Sequence, residues 1–186
     1  MDYSPLCLFL SEESVAAHRE YHYRLKVKYS ILELSEPRLS GVPFEKIGEL
    51  KGHGKIFREA YTERRLVDLH ELYFNSFSER GRGCELLPNG YSSVADFQYK
   101  LLCAAKDEFH YADFLTVLGN LRTGDVRFTV ERDVMRYEKP LVAIDLAEHA
   151  YFGDYGFCLE EYIKAAILHL DLSKISDFVK ERRKKR

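Results

Sequence analysis

Residues 145–151 read Asp-Leu-Ala-Glu-His-Ala-Tyr, and they follow directly on the apolar run Leu-Val-Ala-Ile at 141–144. A continuous apolar run behind Pro140 predicts a buried strand. Asp145 and His149 would then lie within one turn of each other, at a junction between rigid elements. A carboxylate and an imidazole held in this way are a reasonable half-site for a metal ion, although aspartate at such a junction is also common as a helix cap.

Two further strands precede this run in the second half of the chain. Residues 114–118 form an apolar run, residues 126–130 alternate between apolar and polar side chains, and a turn at 122–125 separates them. Helices are predicted from about 92 to 108 and from about 159 to 183. The second half is therefore predicted to be an α/β lobe with a small three-stranded antiparallel sheet.

The first half of the chain is predicted to be an antiparallel helical hairpin. Ser11 is a suitable N-cap for a helix over 12–34, because two glutamates follow it and no glycine or proline interrupts the stretch. Glycine and proline residues over 41–54 predict a connecting loop. A second helix is predicted over 57–77, where apolar residues recur near helical spacing.

A break between the two halves is marked by glycine and proline residues at positions 81, 83, 88 and 90. We therefore predict an N-terminal helical hairpin domain at 1–80 and a C-terminal α/β domain with a basic tail at 90–186. The predicted fold class is α+β.

Three histidines of the helical half are candidates for a site. His18 and His22 are four residues apart on the first helix, so they share one face. His70 lies in the apolar stretch of the second helix. A single histidine in such a place is more often a hydrogen-bonded core residue than a ligand, so spacing alone leaves both interpretations open.

The composition is that of a folded protein in water. Of 186 residues, 46% are hydrophobic and 31% are charged, and 13 Tyr and 12 Phe supply core material. No apolar run approaches the roughly 20 residues that cross a bilayer. The stretch 6–10 is too short for a signal peptide and lacks a basic flank. We expect a cytoplasmic protein without a membrane partner.

The four cysteines are widely spaced and include no Cys-x-x-Cys pair. This spacing argues against a disulfide framework and against a thiolate zinc site. We predict reduced thiols that are mostly buried. They are Cys7, Cys84, Cys103 and Cys158.

The charge is unevenly distributed along the chain. The formal net charge is −2, yet residues 180–186 hold six Lys or Arg and one Glu. Such a tail could contact nucleic acid or an anionic surface. A solvated helix end is favoured, because cations stabilise a helix C-terminus and the rest of the chain is acidic. We expect no nucleic acid partner.

Taken together, these segments resemble the iron/manganese superoxide dismutase family. Residues 145–151 resemble the family signature Asp-x-Trp-Glu-His-Ala-Tyr, and Asp154-Tyr155 and Tyr162 continue the similarity. His70-Glu71-Leu72-Tyr73-Phe74-Asn75 resembles the segment His-x-x-Tyr-Trp-Asn. The stretch from Ser11 to His18, followed by His22, is similar to the start of the first helix of the family.

The resemblance implies a metal site and an activity. The implied ligands are His18, His70, Asp145 and His149, with one Fe or Mn ion per subunit. Three imidazoles and one carboxylate suit either metal. The implied reaction is superoxide dismutation, an antioxidant activity that converts superoxide to dioxygen and hydrogen peroxide.

The resemblance also implies a homodimer and three residues around the ligands. Glu148 corresponds to a family glutamate that reaches the ligand histidine of the partner subunit, so we expect an isologous dimer through the Glu148/His149 region. Lys26 stands eight residues after His18, where the family has a tyrosine that gates the substrate channel, and its ammonium could attract superoxide. His22 corresponds to a histidine that pairs across the dimer. We treat Lys26, His22 and Glu148 as candidate catalytic residues.

Several positions depart from the family pattern. The chain has no Trp, and Ala147 and Phe74 stand where the family has one. Phe152 replaces the tyrosine that pairs with the histidine matching His22. The family glutamine that binds the metal's solvent has no clear counterpart: Leu66 occupies one of its possible places, and the region around Arg132 and Asp133 the other, where Asp133 or Glu131 could substitute for it.

These departures leave three functions open. The first is an iron- or manganese-dependent superoxide dismutase with altered residues around its ligands. The second is a metalloprotein of the same fold with a different redox role. The third is a non-catalytic interaction protein on that fold. Intact ligand positions favour the first two, and the basic tail is mild support for the third.

Overall fold

The structure of the protein is a computed structural model that describes residues 3–42, 44–79, 84–108, 114–130 and 137–185. The chain divides into two compact units. The helical unit is Ala16–Glu71, and the sheet unit contains the residues up to Val15 and those from Leu72 onward. The predicted domain limits at 1–80 and 90–186 stay a prediction, because residues 80–83 lie outside the described ranges.

Three helices build most of the helical unit. Their bounds are Glu12–Ser35 for α1, Phe44–Leu50 for α2 and Lys55–Phe74 for α3. Residues early in α1 meet residues late in α3: His18 lies against His70, and Tyr29 lies against Arg64. The two helices are therefore antiparallel, and the predicted hairpin is confirmed.

The contact between α1 and α3 explains why histidines occur inside the hairpin. In the part of α1 that belongs to the helical unit, the buried side chains are His18, His22, Leu25 and Tyr29, at intervals of four, three and four residues. This is the spacing of one helix face, so the imidazoles belong to the same buried stripe as the apolar side chains. His70 lies on the corresponding stripe of α3 and is also buried.

The segment predicted as a loop over 41–54 contains a helix, and this part of the prediction was wrong. α2 and a single 3-10 turn at Lys51–His53 occupy most of it. The helix forms because Ile47 is fully buried in a cluster with Tyr29 and Leu39. Apolar packing here outweighs the glycine content on which the loop prediction was based.

Four complete α-helices and three strands lie in the described part of the sheet unit. Their bounds are Val94–Glu108 for α4, Phe114–Asn120 for β1, Val126–Thr129 for β2, Glu138–Asp145 for β3, Glu148–Tyr155 for α5, Leu159–His169 for α6 and Ser173–Lys184 for α7. The strand order is β2-β1-β3, and both pairings are antiparallel. The predicted α+β class with a three-stranded antiparallel sheet is confirmed.

β3 is longer at both ends than the apolar run predicted. Pro140 lies inside the strand beside an irregularity at Val117/Leu118 of β1. Proline is tolerated there because a bulge does not need its missing N–H. At the other end Asp145 is the last residue of the strand and pairs with Phe114, rather than following the strand. The pairing of β3 with β1 therefore fixes the position of the Asp145 carboxylate.

Helix α7 and the end of α3 are closely packed on the sheet. A Cβ on Gly119 of β1 would lie 2.5 Å from the Phe178 ring of α7, so only glycine fits there. Just after α3, Ser76 is buried, and its Oγ accepts a 2.8 Å hydrogen bond from the N–H of Ala143 in β3. α3 ends at Phe74, three residues before the predicted end.

The start of α1 is bound to the helix that carries His149. Ser11 is the predicted N-cap, and its Oγ accepts a 3.1 Å hydrogen bond from the N–H of Ser14. The N–H of Ser11 donates to the carboxylate of Asp154 in α5, at 2.8 Å. A Cβ on Gly153 would lie 2.8 Å from the Ser14 hydroxyl, so glycine permits this approach.

We expect Asp154→Ala to lower the free energy of unfolding by about 1 kcal/mol at neutral pH, as loss of a capping acceptor does. Burial opposes ionisation of Asp154, but the hydrogen bonds from Ser11 and Ser14 outweigh it and hold its pKa below the usual 3.8. The stabilisation is therefore present above pH 3.8 and is lost as the pH falls through the lowered pKa.

The measurement is urea unfolding of the wild type and the variant from pH 7 down to pH 3, with Asp177→Ala as a control for loss of an exposed aspartate. The stability difference between wild type and Asp154→Ala should shrink below pH 4. A difference that stays constant through this range would contradict the assignment.

The prediction that the cysteines are mostly buried was wrong. All four are free thiols; Cys7 and Cys158 are exposed, and Cys84 and Cys103 are partly exposed. Cys158 directly precedes α6 in a surface turn, which explains its exposure. Among the ranges that the structure describes, no helix combines the length and the apolar character needed to cross a bilayer.

Candidate metal centre

Two of the predicted ligands, His18 and His70, lie together in the helical unit. Their ring centroids are 5.2 Å apart with the rings nearly perpendicular, and their ligand atoms lie within 4.8 Å of each other. Both side chains are buried. Two imidazoles at this separation can approach the same cation without a change of backbone.

The backbone of α3 fixes which nitrogen of His70 is available as a ligand. Nδ1 lies 2.7 Å from the carbonyl oxygen of Leu66, one turn earlier. A carbonyl oxygen only accepts, so Nδ1 carries the proton and Nε2 carries the lone pair. A second hydrogen bond of this kind is typical of metal-binding histidines, because it sets both tautomer and ring orientation.

His22 stacks on His70 rather than joining the ligand pair. The two rings are nearly parallel, with centroids 5.6 Å apart. Burial lowers the pKa of His22, the nearby Lys26 ammonium lowers it further, and Glu71 opposes these effects. A neutral His22 packed on His70 restricts the orientation of that ring.

Lys26 forms an ion pair with the residue that follows His70. Its Nζ lies 2.6 Å from Oε1 of Glu71, and both side chains are partly exposed. The ammonium predicted to attract superoxide therefore has a carboxylate directly beside it, which reduces its local field. The sequence analysis did not single out Glu71. Its position directly after the candidate ligand His70 was the one sign that it could matter.

The other two predicted ligands, Asp145 and His149, lie together in the sheet unit. Oδ2 of Asp145 is 3.2 Å from Nε2 of His149. Oδ1 of Asp145 accepts a 2.9 Å hydrogen bond from the N–H of Ala147, which fixes the carboxylate at the strand end. Asp145 is fully buried, whereas the His149 side chain is 29% exposed.

The charge of Asp145 affects the pKa of two buried tyrosines, Tyr73 and Tyr162. The hydroxyl of Tyr162 in α6 donates to that of Tyr73, at 3.2 Å. Burial raises the pKa of both phenols, and the Asp145 carboxylate raises them further. Both therefore remain protonated at neutral pH. Sequence reasoning noted these tyrosines only as points of similarity.

Glu148, Phe152 and Phe157 are exposed residues at one end of the sheet unit, on and just after α5. Glu148 begins α5 and is exposed. Phe152 on the same helix contacts Phe157 edge to face, with ring centroids 5.2 Å apart. The Phe157 ring is 91% exposed, and such an aromatic pair is unusual on a surface that stays in water.

Leu66 cannot replace the family glutamine, because it has no side-chain amide. Its backbone carbonyl accepts the hydrogen bond from Nδ1 of His70. The other possible place, the region around Arg132 and Asp133, lies outside the described residues, as does Glu131. Each unit thus contains one pair of donors with a defined orientation. Imidazole and carboxylate donors placed in this way define a candidate metalloprotein of α+β fold.

Comparison with known proteins identifies the family. Residues 84–178, slightly more than half of the chain, match the family model for iron/manganese superoxide dismutases, C-terminal domain. The chain belongs to the iron/manganese superoxide dismutase family.

Two relatives illustrate the range of similar proteins. The chain is 22% identical over 176 residues to a protein named superoxide dismutase (Fe) of Synechococcus elongatus, covering 89% of this chain and 86% of that protein. It is also 26% identical over 157 residues to Elongator complex protein 1 of Oryctolagus cuniculus. That match covers 79% of this chain and only 10% of the longer protein.

Proposed function

We propose that this protein is a metal-dependent superoxide dismutase in which His18, His70, Asp145 and His149 hold one Fe or Mn ion per subunit. The observation that carries the proposal is the pair of oriented donors in each unit, three of the four residues being buried, in a chain of this family. In the proposed reaction one superoxide gives up an electron and becomes dioxygen. A second superoxide takes up that electron and two protons and becomes hydrogen peroxide.

The donor set fits this cofactor. Three neutral imidazoles and one carboxylate are ligands that both iron and manganese accept. The bound ion would supply one-electron chemistry between two oxidation states. The chain's own contribution is to orient the donors: the Leu66 carbonyl aims Nε2 of His70, and the Ala147 N–H binds Oδ1 of Asp145 and so fixes the orientation of the carboxylate. Tyr73 and Tyr162 stay protonated and hold a hydrogen bond near Asp145.

The proposed function is tested by expressing the protein with iron and with manganese supplied separately. Bound metal is measured by elemental analysis, and superoxide loss is followed by stopped-flow absorbance. Stoichiometric metal with rapid dismutation in either preparation supports the proposal. Bound metal without dismutation would favour a different redox role on the same fold.

The Lys26–Glu71 pair gives the proposal a specific consequence. We expect Lys26→Tyr to raise kcat/KM for superoxide by about tenfold. A phenol can donate a hydrogen bond and take part in delivering the protons that the second half-reaction consumes. The control is Lys26→Met, which also removes the ammonium and its ion pair with Glu71 but adds no phenol. Equal rates for the two variants would mean that proton delivery does not depend on this position.

We propose that the functional form is a homodimer through the Glu148/His149 region. The exposed aromatic pair Phe152 and Phe157 on and beside the same helix supports this, because a second copy would cover it. We expect Phe157→Ser to shift the molar mass by light scattering from two chains toward one. Tyr99→Ser, at an exposed aromatic of α4, is the control. A single-chain mass for the unmodified protein would contradict the proposal.

We further propose a cytoplasmic location. The support is chemical: all four cysteines are free thiols, and two of them are exposed. Exposed thiols persist in a reducing compartment.

A second candidate function is a non-catalytic role in a larger assembly. The alignment with a protein named Elongator complex protein 1 favours it, and the altered position at Lys26 is compatible with it. Absence of bound metal in both the iron and the manganese preparations would favour this second candidate.

A further inference from the structure

A small cavity opens beside the C-terminal half of α7, within the sheet unit. It is lined by Asn89, Thr123, Gly124, Val179, Arg182 and Arg183. Its lining thus includes two guanidinium groups, a hydroxyl and an amide, and no carboxylate among these residues. This is the chemistry of an oxyanion site, because arginine offers several N–H donors in a fixed plane.

Arg182 is held in place before any ligand arrives. Its Nη1 donates to the carbonyl of Leu121 at 3.1 Å, and its Nη2 donates to Glu181 at 2.9 Å. Its guanidinium lies 5.8 Å from the centre of the Phe178 ring. The side chain is only 20% exposed. A donor fixed in this way loses little conformational entropy on binding.

The remaining N–H of Arg182 is not satisfied by the protein. Its Nε is buried and has no hydrogen-bond partner within the part of the chain that the structure describes. A buried donor without a partner is unfavourable. The contacts of Nη1 and Nη2 fix the guanidinium without using this group, so packing of Arg182 alone does not explain it.

Arg183 lines the same cavity and is available to a ligand. It forms no hydrogen bond or ion pair with any residue of the described ranges. The neighbouring Lys180 and Lys185 are different, since they pair with Glu85 and Glu181. Cations at the C-terminus of α7 stabilise the helix end, but that effect does not require an arginine at the cavity.

We propose that this cavity binds a phosphate group, with the Nε–H of Arg182 and the guanidinium of Arg183 as donors. The phosphate could be inorganic phosphate or the phosphodiester of a nucleic acid, which present the same oxygen atoms. Glu181 neutralises part of the charge of Arg182, so Arg183 carries most of the attraction. The site is separate from the proposed metal ligands and does not depend on the proposed function.

The test is an NMR titration of the full chain, first with inorganic phosphate and then with a twelve-residue thymidylate oligonucleotide. The Arg182 Nε–Hε and Gly124 N–H signals report on the cavity. Arg183→Gln is the variant, because no described contact of the folded protein depends on that side chain. Lys184→Gln removes the same charge one residue further along α7 and is the matched control.

We expect a saturable shift of the Arg182 Nε–Hε signal, and a Kd raised about tenfold or more by Arg183→Gln but less than about twofold by Lys184→Gln. Binding of inorganic phosphate without binding of the oligonucleotide identifies the free ion as the ligand. Oligonucleotide binding that phosphate competes away identifies the phosphodiester. No shift with either ligand, or equal weakening in the two variants, would overturn the proposal.

Discussion

Replacing His70 with alanine is expected to abolish metal retention. The imidazole is buried, its Nδ1–H is bound by the Leu66 carbonyl, and its Nε2 is the atom left for a metal. The carboxylate next to it on α3, that of Glu71, is already paired with Lys26. We expect affinity for Fe or Mn to fall more than about 100-fold, and purified protein to hold almost no metal.

His53→Ala is the matched control for this experiment. His53 belongs to the same unit but is exposed, and its ring contacts Phe57 at a centroid distance of 6.5 Å. Circular dichroism of both variants separates metal loss from unfolding. Because alanine leaves a cavity in the hairpin, His70→Gln serves as a second variant of closer volume. Full metal occupancy in a folded His70→Ala protein would remove His70 from the proposed ligand set.

Asp145→Asn is expected to separate metal binding from folding. The carboxamide keeps an oxygen that can accept the hydrogen bond from the Ala147 N–H, but it removes the only negative charge among the four proposed donors. Metal affinity should therefore fall more than about 100-fold. The free energy of unfolding of the metal-free protein should change by less than about 1 kcal/mol, because asparagine also avoids burying a carboxylate.

The measurements are metal content and thermal unfolding with and without added metal. Wild-type protein should be stabilised when the metal is present, because the ion binds the folded state. The variant should show no such rise. Asp177→Asn, an exposed aspartate of α7, should behave like wild type. Full metal retention by Asp145→Asn, or loss of the fold in its metal-free form, would contradict the role given to Asp145.

Periodicity was sufficient to predict the elements that place the proposed ligands. The apolar run before Asp145 predicts a buried strand, and β3 delivers that carboxylate by pairing with Phe114. Helical spacing puts His18 and His22 on one face of α1, and that face is buried. In both cases the information lies within a few residues, so local sequence is enough.

Features that depend on distant partners could not be predicted in this way. Lys26 and Glu71 are 45 positions apart in sequence, and their ion pair exists only because α1 and α3 are antiparallel. The helix inside the predicted loop depends on burial of Ile47 against Tyr29 and Leu39. Tertiary packing decides each of these features, and composition gives no direct sign of it.

We propose that His18, His70, Asp145 and His149 hold one redox-active ion. The most direct measurement is an anomalous difference map, recorded at the iron edge from crystals of protein expressed with iron. We expect one peak per chain, within bonding distance of these four side chains. A map without a peak at these side chains, although their electron density is well defined, or a peak bound by other residues, would contradict the proposed site.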